Sequence, residues 1–170
     1  MKPVYIAAYH QSKFGKLMDI KVPEIISNAV HGVCRELKVE PSIIDVGSIG
    51  AICHLPLNEA GLLAGLMAMV PGLESKPIEA VEIACASGGM AVLSVLQKLQ
   101  LGLGEVGVAV GFEKMRDAEG KMDGVLIGKV LGYYCHPDER LGRTYVFPHL
   151  FAEVMREYMD HWKVTEYGLD

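Results

Sequence analysis

One stretch of the sequence carries residues suited to covalent chemistry: Ala84-Cys85-Ala86-Ser87-Gly88-Gly89-Met90-Ala91. Ahead of it, Ile78, Val81 and Ile83 sit among small or β-branched residues, a strand pattern. Behind it, Ala91, Val92, Leu93, Val95, Leu96 and Leu99 form a helix whose polar Ser94, Gln97 and Lys98 keep to one stripe. Cys85 therefore occupies a tight strand-to-helix turn, a geometry that exposes one atom at the end of a sheet. Unpaired N–H groups and the positive end of a helix dipole favour thiolate over thiol, and the thiolate is the nucleophile. The small residues around it let a substrate carbonyl come close. The plain alternative is a small cysteine buried at a tight junction. Local chemistry leaves both open.

The other reactive side chains form no comparable group. Cys34, Cys53 and Cys135 stand apart with no C-x-x-C pair, so neither a zinc site nor a disulfide framework is indicated. Cys53 reads as core or strand-end packing. No metal site and no resident cofactor are expected. Gly102-Leu103-Gly104 follows a helix instead of opening one, so no dinucleotide or Walker loop is present. His31 falls on the polar side of a helix, while His136, His149 and His161 lie toward the C-terminus, so none is evidently a base for Cys85.

Composition narrows the function classes. The 170 residues are 51% hydrophobic, enough for a sizeable core, and mean hydropathy is positive. A net charge of −5 with no Lys/Arg run argues against nucleic-acid binding. The longest uncharged stretch, Ala60 to Leu73, is too short for a transmembrane span. The N-terminus shows no signal-peptide pattern. A cytoplasmic protein with reduced thiols is expected.

The elements that must hold Cys85 are expected in alternation. Pro3 to Tyr9 reads as a buried strand. Pro23 opens a helix with Ile25, Ile26, Ala29, Val30, Val33 and Leu37 on its buried stripe. Ser48 to Cys53 reads as a second strand and Asn58 to Val70 as one short helix ended by Pro71-Gly72. A buried strand at Val81 to Ile83, a helix from Ser87 to Leu101 and a strand at Val106 to Gly111 follow. This β-α-β-α-β-α-β order implies an α/β fold, a mostly parallel sheet covered by helices. From Lys114 to His149 glycines recur and apolar periodicity fades, so an irregular stretch is expected. Phe151, Val154, Met155, Tyr158, Met159 and Trp162 give a helical stripe expected in a core. Thr165 with Glu166 reads as a further helix start that runs into the end of the chain.

The residues around Cys85 resemble the nucleophilic-cysteine motif of the thiolases, particularly the sterol-carrier-protein-type branch. Gly111-Phe112-Glu113-Lys114-Met115 resembles that family's Gly-x-Glu-x-Met segment. Val4-Tyr5-Ile6 with Lys13-Phe14-Gly15-Lys16 is similar to its first strand and loop. Phe151-Ala152-Glu153 through Tyr158-Met159 and Val164-Thr165 resembles its loop domain. The resemblance implies an N-terminal α/β domain over 1–113 and the start of a loop domain over 114–170. It also implies an acyl-CoA acyltransferase, similar to acetyl-CoA C-acetyltransferases, in which Cys85 carries the acyl group and its backbone N–H helps hold the oxyanion. Coenzyme A and acyl-CoA enter as substrates, with Arg140 and Arg143 as candidates for CoA phosphates or as plain solvated loop charges.

The family's Gly-His-Pro and Cys-x-Gly motifs are not present in usable form; Cys135-His136-Pro137 reads as an ordinary loop. The chain thus looks like a half that needs a C-terminal thiolase half or a partner subunit, in a homo- or hetero-oligomer. Two other classes stay open: a catalytically silent thiolase-like scaffold, and a ketoacyl-synthase-type condensing enzyme. The Asn58-Glu59-Ala60 triplet is taken as a chance match to a family motif that lies elsewhere. Acyl-chain length and reaction direction are not legible.

Overall fold

A computed structural model describes residues 2–116 and 119–165, which divide into two compact units, Met1–Met122 and Asp123–Asp170. The first unit holds the sheet. Helix α1 (Val22–Leu37) begins beside Pro23, and the Glu24 carboxylate accepts the Lys21 N–H at 2.8 Å. It ends at Lys38, whose φ of 56° turns the chain left-handed. A 3-10 turn at Pro41–Ile43 leads into strand β1 (Val46–Gly50), every residue of which is buried. Short helices α2 (His54–Asn58) and α3 (Leu63–Ala68) follow, then β2 (Ile78–Val81), α4 (Ser87–Gln100) and β3 (Gly107–Gly111).

The three strands form a parallel sheet in the order β2-β1-β3, with Gly50 level with Val81 on one side and with Gly111 on the other. Strand alternation sends neighbours to opposite faces. Ile49, Val108 and Val110 meet Ile26, Val30, Leu63 and Met67 of α1 and α3, while Val46 meets Val95 and Leu99 of α4. Ile26, Ile49, Met67 and Leu73 are fully buried, and each such side chain contributes about 1.5–3 kcal/mol. The parallel sheet covered by helices is the expected fold class.

Several segments depart from expectation. Pro3 to Tyr9 forms no strand: Tyr5 and Ile6 are more than four-fifths exposed, and only Val4 packs against Val46, Val95 and Leu99. An apolar run becomes a strand only when its N–H and C=O groups find ladder partners. The helix expected over Asn58 to Val70 is two helices, broken where Glu59 (φ 53°) and Leu62 (φ 54°) turn left-handed. The strand before Cys85 spans Ile78–Val81 instead of Val81 to Ile83, lies at the sheet edge, and leaves Ile83 half exposed. It still packs against α3 and α4. The second strand ends at Gly50, three residues short of Cys53.

In the second unit the expected irregular stretch contains α5 (Gly124–Gly132) and α6 (Pro137–Arg140), followed by α7 (Val146–Trp162). The Asp123 side chain accepts the Leu126 N–H at 2.8 Å and caps α5. Helix α5 packs on α7 through Gly132 and Val146. The α7 stripe expected in a core is exposed instead: Phe151, Val154, Met155, Tyr158 and Trp162 all face out. Periodicity identifies an apolar face without supplying its cover. The helix start expected at Thr165 and Glu166 falls at and outside the limit of the described residues.

Candidate active site

Cys85 sits at the mouth of α4, two residues before its first turn, and is exposed. The turn that presents it is held by one side chain. Ser87 Oγ donates to the Ala84 carbonyl at 2.7 Å and accepts the Ile83 N–H at 3.0 Å. Two backbone bonds tighten the same turn, Ala86 N–H to Ile83 O at 3.2 Å and Ser87 N–H to Ala84 O at 3.1 Å. Ala84 is thereby kept at φ 52°, a left-handed conformation that costs an alanine about 1 kcal/mol. The sequence pattern had located the cysteine but gives no sign of the Ser87 clamp.

No side chain caps the start of α4. Among the described residues, the Gly88 and Gly89 N–H groups have no hydrogen-bond acceptor. A helix N-terminus with open N–H groups favours an anion nearby. Gly50 and Gly111 let this helix end lie directly on the sheet. A methyl group on Gly50 would overlap the Ser87 carbonyl, and one on Gly111 would stand 3.3 Å from Gly88 Cα. Cys85 thus lies past the carboxyl ends of parallel strands, where open α/β sheets hold ligands.

The Gly-Phe-Glu-Lys-Met segment closes the other side of this end of the sheet. The Glu113 carboxylate accepts N–H groups from Ile52, by a short hydrogen bond, and from Cys53 at 3.2 Å, fixing the loop that follows β1. Lys114 donates to Ile20 O at 2.7 Å, and its own carbonyl accepts Asn58 Nδ2 at 2.7 Å. Asn58 is therefore a structural tie to the Lys114 backbone. Cys53 is fully buried at the N-terminal end of α2. Burial, together with the charges of Glu113, Cys85 and Glu82, pushes its thiol up to about 11. Cys34, on α1, is raised by burial and then by Glu40. Of the four cysteines, Cys85 alone is exposed.

The histidines lie on several different elements. His31 is half-buried on α1, and His10 stands 3.8 Å from Glu36. In the second unit His136 sits at the start of α6, and His149 and His161 lie on α7. His54 is the first residue of α2, and its Nδ1 is buried without a partner among the described residues. Sequence reasoning has no signal for His54: it follows Cys53 directly in the chain, but the burial of its Nδ1 arises only on folding. Arg143 pairs with Glu153 at 2.7 Å, and Arg140 stacks over Tyr133 at 5.1 Å, both beside a shallow hollow lined by Gly128, Lys129 and Gly132. Among the described residues no group of acidic, Cys and His side chains could hold a metal ion, and no helix is long and apolar enough to cross a membrane.

Comparison with known proteins adds an independent line. The thiolase N-terminal domain family matches residues 4–157. An acetyl-CoA acetyltransferase of Methanothermobacter thermautotrophicus is 28% identical over 165 residues, covering 97% of this chain and 42% of that protein. An acetyl-CoA acetyltransferase of Methanocaldococcus jannaschii is 29% identical over 169 residues, covering 99% of this chain and 40% of that protein. A mitochondrial acetyl-CoA acetyltransferase of Aspergillus fumigatus is 35% identical over 106 residues, covering 59% of this chain and 23% of that protein. The chain spans about two fifths of the length of the first two relatives.

Proposed function

The chain belongs to the thiolase family, and on that premise we propose that it is the nucleophile-bearing part of an acyl-CoA C-acyltransferase that works through an acyl-cysteine on Cys85. The observation that carries this reading is the exposed Cys85 on a Ser87-clamped turn at the open start of α4. The Cys85 sulfur attacks the thioester carbonyl of an acyl-CoA. The tetrahedral oxyanion is held by N–H donors at the helix start, coenzyme A leaves as its thiol, and a second CoA species later takes the acyl group. Coenzyme A and acyl-CoA are substrates in this scheme, with no resident cofactor. The cysteine must lose a proton and the α-carbon chemistry needs a base. In this reading a C-terminal thiolase half, in the same protein or in a partner subunit of a homo- or hetero-oligomer, supplies those groups. The domain covering 1–113 provides the nucleophile, and 114–170 opens the loop domain that meets coenzyme A. A cytoplasmic setting with reduced thiols completes the proposal.

The test is incubation of the purified protein with an acyl-CoA, followed by peptide mass spectrometry, and thiolytic cleavage of acetoacetyl-CoA with and without a candidate C-terminal half. The acyl group is expected on Cys85, with turnover only when both halves are present and none in Cys85→Ala. Acylation spread over the four cysteines, or absent with both halves present, overturns the proposal and favours a silent scaffold. Turnover by the 170-residue chain alone, lost in His54→Ala, would assign the base to His54 and remove the need for a partner half.

A further inference from the structure

Three neighbouring parallel strands lead, past their carboxyl ends, to three reactive side chains. Strand β1 ends at Gly50 and leads to Cys53; β2, level with it, leads to Cys85; β3 leads to Glu113. The Cys85 turn is pressed against the end of β1, because Gly50 has no side chain to hold the Ser87 carbonyl away. Glu113 binds the Ile52 and Cys53 N–H groups, so the Cys53 loop is pinned to the same end of the sheet. One thiol is exposed and the other fully buried. We propose that Cys85 and Cys53 form a peroxide-responsive pair, in which Cys85 is oxidised first and Cys53 captures it as an intramolecular disulfide.

The chemistry balances with a peroxide as the only oxidant. The Cys85 thiolate attacks one peroxide oxygen, the O–O bond breaks, and hydroxide leaves. Cys85 becomes a sulfenic acid, oxidised by two electrons, and the peroxide is reduced. The small thiolate fraction of Cys53 then attacks Cys85 Sγ, the S–O bond breaks and hydroxide leaves, which with the proton Cys53 released beforehand makes water. The arrangement suits this order. Cys85 meets solvent, whereas Cys53 is shielded from peroxide and is held as a thiol by its burial and by the charges of Glu113, Cys85 and Glu82. Cys53 thus stays out of reach of acyl groups and outside reagents, and reacts only with a neighbouring sulfur. Capture stops Cys85 short of the sulfinic acid, which thiols cannot reverse.

The proposal shares with the functional reading the premise that Cys85 is a reactive thiol. Acylation of Cys85 is therefore measured in parallel, so that either idea can fail alone. The purified protein is treated with hydrogen peroxide, blocked with N-ethylmaleimide, and digested without reductant for mass spectrometry. A Cys53–Cys85 linked peptide within one chain is expected, reversed by dithiothreitol, with Cys34 and Cys135 still free. In Cys53→Ala, Cys85 should be trapped by dimedone and pass to sulfinic acid at least fivefold faster. Because a thiolate attacks and Cys53 titrates high, the disulfide-forming step should speed up about tenfold per pH unit between pH 7 and 9. Sulfinic acid forming on Cys85 equally fast with and without Cys53, or disulfides that join chains or use Cys34 or Cys135, would overturn the proposal. Should Cys53→Ala not fold, the linked peptide in the unaltered protein decides alone: its absence refutes the pair.

Discussion

Gly50 and Ser87 are in direct contact across the end of the sheet: the glycine's missing side chain is the space the Ser87 carbonyl occupies, with Gly88 N 3.0 Å from where a Cβ would stand. That backbone cannot retreat alone, because Ser87 also clamps the turn that carries Cys85. Gly50→Ala should therefore push the start of α4 off the sheet. A loss of about 1–3 kcal/mol is expected, with Cys85 acylation slowed at least tenfold. Urea denaturation and the acylation assay check the two effects.

Ser87→Ala removes both hydrogen bonds of the clamp while leaving volume almost unchanged. The lost bonds and the stranded Ile83 N–H should cost about 1–3 kcal/mol. Ala84 should relax from its left-handed φ, so Ala84→Gly in the Ser87→Ala background should recover part of the loss. If Ser87→Ala melts within a degree of the unaltered protein, the clamp is not holding the turn.

Glu113 serves two N–H groups of the Ile52–Cys53 loop. Glu113→Ala leaves them without their partner and is expected to cost about 2–4 kcal/mol. Glu113→Gln keeps one acceptor oxygen and should cost roughly half as much. The pair of variants is compared by chemical denaturation. Hydrogen exchange at Ile52 and Cys53 should rise in both, more in the alanine variant.

Alkaline stability follows from Cys53. Its folded value of about 11 lies above that of an unfolded thiol, about 8.5. Between these values the unfolded chain has released a proton that the native chain retains, so stability falls as pH rises. The contribution is fully present below about pH 8.5 and is lost toward pH 11. Cys34, raised by burial, acts in the same direction. Denaturation midpoints at pH 8 and pH 10.5 should differ less in Cys53→Ala than in the unaltered protein. An equal difference in both would exclude Cys53 as the source.

Asp45 acts at the opposite extreme. Its carboxylate accepts the Glu105 N–H at 2.8 Å and the Val106 N–H at 3.1 Å, and these bonds hold it below its ordinary value. Its contribution is present above about pH 4 and is lost as pH falls through the lowered folded value. Asp45→Asn should therefore lower the melting temperature at pH 7, and by less at pH 2. Thermal melts at the two pH values check it.

By itself, the sequence determined what local rules govern. The apolar stripe of α1, the helix after Cys85 and its small-residue turn are all written in spacings shorter than two helical turns. The parallel sheet under helices follows from strands separated by helices, and the family from the Cys85 and Gly-Phe-Glu-Lys-Met motifs together. Tertiary structure alone decided what depends on partners far along the chain. Pro3 to Tyr9 is as apolar as a buried strand yet stays unpaired, since a strand is defined by ladder bonds and not by composition. The α7 stripe is as regular as that of α1, but its side chains stand exposed among the described residues. Glu113 was visible as part of a motif, and its grip on a loop sixty residues earlier was not. Nor was the placing of Cys53 and Cys85 past the ends of the neighbouring strands β1 and β2. Spacing along the chain records which residues share a face; only the folded path of the backbone brings the ends of β1, β2 and β3 together.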